Sequence, residues 1–140
     1  MKVEDSWGYT LSKIAQEMDM LFSKSLLSCG IDSRGYGILV TLTNHHAITQ
    51  IKIGELMSID RTTVGQLIDM LETKGFVKRE QNPKDRRQNL VVLTNVGQNL
   101  VREKWEEMRQ IERSVISNLS DWQKEVFFSI TKESRGKNNG

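Results

Sequence analysis

A single cysteine in 140 residues leaves no partner for an intramolecular disulfide, which excludes a stapled secreted scaffold and points to a reducing cytoplasm. No apolar run approaches the ~18 residues of a membrane span, and the first residues lack the charged-then-apolar pattern of a secretory leader. A cytoplasmic protein with no membrane partner is expected. The patterns behind common chemistries are missing too. There is no nucleophile elbow, no phosphate-cradling glycine loop and no His-Glu-x-x-His helix, and the lone Cys29 has no base placed beside it. No enzymatic activity, cofactor or metal site is expected. There is no internal repeat, and 37% hydrophobic residues over this length suit one domain with a sizeable core. A net charge of only +2 does not by itself argue for a nucleic-acid partner.

What is present is concentrated between Thr49 and Thr94. Thr49 can cap a helix carrying Ile53, Leu56 and Met57 at helical spacing, and only Ser58 and Ile59 separate it from Asp60. Asp60 can cap a second helix, in which Val64, Leu67, Ile68 and Leu71 keep the i, i+3, i+4, i+7 spacing of one buried face. At about 100° per residue the opposite face holds Thr62, Gln66, Asp69 and Thr73. Two helices joined by so short a turn cross steeply, as in a helix-turn-helix whose second helix enters a DNA major groove. Gly75 suits the left-handed position that ends a helix. Two β-prone runs follow, Phe76–Glu80 and Asn89–Leu93, with Asn82-Pro83 marking a turn region between them, so a two-stranded hairpin is predicted. From Lys74 to Arg87 six basic side chains face only Glu80 and Asp85, a local excess of four charges in a chain whose total is +2.

Four blocks in this region resemble the winged-helix core of the MarR transcriptional regulators: Asp60-Arg61-Thr62-Thr63-Val64, Leu71 to Arg79, Asn82 to Arg87, and Leu93 to Gly97. Their order and spacing match the family, and a weaker likeness extends over nearly the whole chain. The resemblance implies a mostly α (α+β) winged helix-turn-helix protein with N- and C-terminal dimerisation helices. It also implies a dimeric repressor or activator, often answering to a small molecule. Asp85 and Arg87 fall in the places of the family's Asp-x-Arg wing motif.

Outside this core, Leu11, Ile14, Ala15, Met18, Leu21, Phe22 and Leu26 keep helical spacing up to Cys29-Gly30. A second helix starts near Asp32-Ser33, carries Tyr36, Leu39, Val40 and Leu42, and is weakened by Gly35 and Gly37, which also leave space for a neighbour. Thr94 can cap a long helix with Val96, Leu100, Val101, Trp105, Met108, Ile111, Val115 and Ile116, roughly 39 Å to Leu119. Ser120 and Gln123 have the capping-box pattern ahead of Trp122, Val126, Phe127 and Ile130. These helices carry more apolar surface than the small wing domain can cover, and a second copy of the chain is the economical partner. The reading is one domain over 1–140, with a DNA-binding core at 32–94, dimerisation helices at 5–30 and 94–134, and a disordered polar tail at 135–140.

The candidate DNA contacts are Gln50, Arg61, Thr62, Thr63, Gln66, Lys84, Asp85, Arg86 and Arg87. Gln can pair with adenine N6 and N7, and Thr with a base edge or a thymine methyl. Arg61 lies where a helix N-terminus faces a phosphate, Gln50 stands similarly on the first helix, and Lys84 and Arg86 suit phosphates. A carboxylate such as Asp85 can orient a guanidinium two residues away for a narrow minor groove. Each has a plain alternative, a solvated helix face or charged turn, and Gly65 reads equally as room for DNA or as tolerated noise. Cys29 suits a buried small hydrophobe better than an oxidant sensor. His45 and His46 point apart and lack thiolate partners, so a surface turn is favoured over zinc. Trp7, Trp105 and Trp122 read as core or interface anchors, and an effector pocket with Tyr36, Trp105 or Met18 is left open. The reading is a homodimeric DNA-binding regulator, with or without a small-molecule effector; the alternative is a winged-helix protein-interaction module.

Overall fold

The computed structural model describes residues 1–138, with side chains described to residue 132. The chain runs α1 (Trp7–Ser25), α2 (Ser33–Thr43), β1 (Ile48–Thr49), α3 (Gln50–Met57), α4 (Arg61–Thr73), β2 (Val77–Gln81), β3 (Asn89–Leu93), α5 (Asn95–Ser117) and α6 (Asp121–Asn138). It divides into two compact units, Ser25–Glu106 and Met1–Lys24 with Glu107–Gly140.

The unit Ser25–Glu106 is built on α4. Val64, Leu67, Ile68 and Leu71 are buried, as their spacing predicts, against a core that includes Ile38, Leu39, Ile53, Val77 and Val91. Ile68 and Leu71 are fully buried, and truncating either to alanine costs on the order of 2–5 kcal/mol. Each helix boundary has a local cause. Asp32 accepts from the Gly35 amide to start α2, Thr49 from Lys52 to start α3, and Asp60 from Thr63 to start α4. Helix α3 stops because Ser58 turns left-handed at φ 54, letting the Ile59 amide reach Gly54 O at 3.0 Å. Helix α4 stops at Gly75, φ 80, where the Gly75 and Phe76 amides donate back to Glu72 and Leu71. The turn between α3 and α4 is tight enough that a Cβ on Gly54 would lie 3.0 Å from Ile59 O.

The sheet has three antiparallel strands in the order β1-β3-β2, where the sequence predicts two. The hairpin register pairs Val77 with Leu93 and Gln81 with Asn89. Strand β1 adds Ile48 opposite Val91 and Thr49 opposite Leu90. Two residues are too few to show alternation, and their partner lies some forty positions downstream, so no local pattern announces β1. Leu56, read as part of the buried stripe of α3, is instead 45% exposed.

In the other unit, Ile14 of α1 packs with Val115 and Leu119, and Met18, Leu21, Ile111, Ile116 and Phe127 close around them. The predicted capping box forms: the Gln123 amide donates to Ser120 Oγ at 3.2 Å and the Ser120 amide to Gln123 Oε1 at 2.9 Å. Trp122 Nε1 donates to Glu4 O at 3.0 Å. A core role for the tryptophans is corrected: Trp7, Trp105 and Trp122 are 50%, 44% and 41% exposed. Ala15 and Val96, placed on apolar stripes, are exposed as well. The disordered tail expected at 135–140 falls on residues whose side chains lie outside the described ones; the α6 backbone is helical to Asn138. No helix among the described residues is long and apolar enough to cross a membrane.

Candidate nucleic-acid interface

The cap and the buried stripe of α4 fix which side chains it can offer. With Val64, Leu67, Ile68 and Leu71 inward, Arg61, Thr62, Gln66 and Asp69 form its exposed side. Thr63 is half-buried and tied to the cap, since its hydroxyl donates to Asp60 Oδ2 at 2.8 Å and its amide to Oδ1 at 3.0 Å. Those two bonds hold the Asp60 carboxyl below the usual carboxylate range, with a smaller attraction from Arg34. Thr62 and Gln66 are therefore the uncharged polar side chains that the first two turns of α4 direct outward.

Beside α4 lies a groove of about 460 Å³, lined by Gln50, Ile51 and Glu55 of α3, Arg61 and Val64 of α4, and Arg87, Gln88 and Asn89 of the hairpin. It brings together three of the sequence-predicted residues, Gln50, Arg61 and Arg87, from three separate elements. Lys84, Asp85 and Arg86 are exposed at the hairpin tip.

The tip is ordered by bonds among its own residues. Asn82 Oδ1 accepts from the Lys84 amide at 3.0 Å, and the Gln88 amide donates to Asp85 O at 3.1 Å. Asp85 does not orient the Arg87 guanidinium, as the sequence suggested. Its Oδ1 accepts from the Arg87 amide at 3.0 Å, a side-chain-to-backbone turn two residues long. The short carboxylate reaches an amide two residues on more easily than the far end of an arginine.

Arg79 is a residue of this surface that sequence reasoning did not single out. It counts toward the local positive excess, yet its guanidinium donates to Glu72 Oε1 at 2.9 Å, to Asp69 Oδ1 at 2.6 Å, and to Gln50 Oε1 at 3.4 and 3.3 Å from Nε and Nη2. Its amide donates to Glu72 Oε2 at 2.9 Å. Lys78 pairs with Glu80 at 3.1 Å. The positive charge facing outward is accordingly that of Lys74 and of the tip, Lys84, Arg86 and Arg87. A signal was available: Arg79 shares a strand face with buried Val77, two residues away, and a cation on that face needs carboxylate partners.

Gly65 has an explanation in packing. A Cβ there would lie 3.2 Å from Gln50 Nε2, so the missing side chain makes room for the Gln50 carboxamide. Tyr36 is buried and donates its phenol to Val101 O at 2.8 Å, and burial pushes its pKa up to about 12. It is a tie between α2 and α5. Cys29 is half-exposed on a short 3₁₀ turn, Leu27–Cys29, which corrects the buried reading. His45 is half-buried and His46 exposed in the loop after α2. Among the described residues no group of three or more His, Cys, Asp or Glu could hold a metal ion.

A family model described as the MarR family matches residues 33–88, the span from α2 through the hairpin tip. YwoH of Bacillus subtilis, an uncharacterised HTH-type transcriptional regulator, is 31% identical over 98 residues, covering 70% of this chain and 71% of the relative. In other curated bacterial regulators that the chain matches, the matched stretch spans 62% of their length. Among solved structures, a mutant MarR of Escherichia coli complexed with operator DNA aligns over 91% of each chain, with a TM-score of 0.75 and 23% identity. CouR of Rhodococcus jostii bound to p-coumaroyl-CoA aligns over 98% of this chain and 92% of its own, with a TM-score of 0.78 and 22% identity. At such identities the structural likeness establishes the shared winged-helix fold.

Proposed function

Because the chain belongs to the MarR family, we propose that it is a sequence-specific DNA-binding transcriptional regulator, acting as a homodimer on a pseudo-palindromic operator. The observation that carries this reading is the groove where Gln50, Arg61 and Arg87 meet beside the exposed side of α4, with Thr62 and Gln66 outward and the basic hairpin tip alongside. In this reading α4 enters the major groove, Thr62 and Gln66 meet base edges, and Arg61 meets a phosphate at the helix N-terminus. Lys84 and Arg86 neutralise backbone phosphates, and Arg87 reaches the adjoining minor groove. Two copies address successive major grooves about 34 Å apart.

Regulation in this reading is repression relieved by a small molecule, in keeping with a structural neighbour bound to an acyl-CoA. A ligand favouring a dimer with a misfit separation of its two α4 helices draws the population away from DNA, to the extent that its affinities for the two states differ. The decisive experiment is binding to the DNA upstream of the protein's own coding region, titrated against salt and random competitor, with genome-wide selection of bound fragments alongside. Fragments that survive competitor and bind with a steep salt dependence are expected. If no genomic fragment survives competitor, the regulator reading fails, and a protein-interaction module takes its place.

A further inference from the structure

Arg79 is the point where β2, α3 and α4 are tied together by one side chain. That side chain is only 19% exposed, and four hydrogen bonds hold its guanidinium, to Asp69, Glu72 and Gln50. The contact with Gln50 has a specific consequence. A guanidinium can only donate, so the Gln50 carboxamide must turn its oxygen toward Arg79, and its amino group faces the other way. That amino group lies against Gly65, in the space a side chain there would fill. A free glutamine can flip and present either donors or an acceptor. Held by its oxygen, Gln50 presents donors alone.

We propose that Arg79 is a positioning residue that fixes Gln50 as a donor-only reader of a base edge, with Gly65 as the space that lets it stand there. The inference rests on the DNA-binding reading above. Gln50 lines the same groove as Arg61 and Arg87, so its carboxamide borders the region where that reading seats the nucleic acid. Two donors with no acceptor suit guanine O6 and N7 or thymine O4, and disfavour the amino groups of adenine and cytosine. Arg79 itself meets no phosphate in this proposal, because Asp69 and Glu72 already balance its charge.

The test uses the intact protein and a selected operator, with every base pair varied in turn and affinity measured across a range of salt. Gln50→Ala should relax preference by about 10-fold at one base pair per half-site. Arg79→Lys keeps the charge but loses the fork, and should relax the same base pair. Combined with Gln50→Ala it should add nothing. Arg79→Gln should leave the salt slope unchanged. Gly65→Ala leaves the Arg79 pairs with Asp69 and Glu72 in place but puts a Cβ 3.2 Å from Gln50 Nε2, and should relax the same base pair with no loss of thermal stability. A salt slope reduced by about 0.9 in Arg79→Gln, with all sequences weakened alike, would make Arg79 a phosphate contact and overturn the proposal. Full retention of preference in Arg79→Lys, or in Gln50→Ala, would overturn it as well. Absence of any base preference in the wild-type protein would instead sink the DNA-binding reading beneath it, and is seen before a variant is made.

Discussion

At the scale of single residues, two left-handed positions end the two helices of the helix-turn-helix, and only one is glycine. Ser58 adopts φ 54 and Gly75 φ 80. The left-handed conformation costs a non-glycine residue about 1–2 kcal/mol, so Ser58→Gly should stabilise the fold by roughly 0.5–1 kcal/mol after glycine's extra chain entropy is set against it. Gly75→Ala should destabilise by about 1 kcal/mol through backbone conformation alone, because no atom lies within 4 Å of where the new Cβ would sit. Urea denaturation of the two variants checks the opposite signs. Tyr36 makes a pH prediction. Its phenol ordinarily titrates at 10.0 and is raised to about 12 by burial. Below pH 10 both states hold the proton. Between 10 and about 12 the unfolded chain releases it while the folded chain does not, so stability falls as pH rises through that window. Tyr36→Phe should make that decline shallower, and an unchanged slope between pH 9 and 11.5 would count against it.

At the scale of elements, α4 and the hairpin divide the work differently from what their charges suggest. Arg79 and Lys78 are engaged with carboxylates, which in the proposed reading leaves the tip as the electrostatic part and α4 as the reading part. Lys84→Ala should weaken binding to all DNA alike and reduce the log–log salt slope by about 0.9. Gln66→Ala should cost about 1–3 kcal/mol on the operator and relax one position per half-site, with the salt slope unchanged. Comparing the two variants on operator and random DNA separates these roles. Equal losses on both DNAs in Gln66→Ala would remove it from the bases.

At the scale of the whole molecule, the unit formed by Met1–Lys24 and Glu107–Gly140 has a small buried cluster and many large apolar side chains in water. Trp7, Met20 and Phe128 are at least half exposed, and Trp122 is held outward by its bond to Glu4 O. A second copy of the chain is the proposed cover. The melting temperature should then rise with protein concentration, since dissociation accompanies unfolding. Phe128→Lys should shift the sedimentation equilibrium toward monomer. A concentration-independent melt and a monomer mass across the micromolar range would count against the homodimer.

The sequence by itself determined the helices, their caps and the ends of α4, because these depend on spacings of three and four residues and on single side chains such as Asp60, Ser120 and Gly75. It also determined the hairpin and the groups at its tip, where turn chemistry is local. What only the tertiary structure decided are relations between distant positions. Strand β1 exists because β3 offers Val91 and Leu90 as partners. Arg79 leaves the basic surface because Asp69, Glu72 and Gln50 converge on it from two other elements. Gly65 has meaning only beside Gln50, fifteen residues away in the chain and in contact in space. The physical reason is the same in each case: local hydrogen bonds and periodicity are written in neighbouring residues, whereas the partner of a charge or a vacant space is supplied by packing.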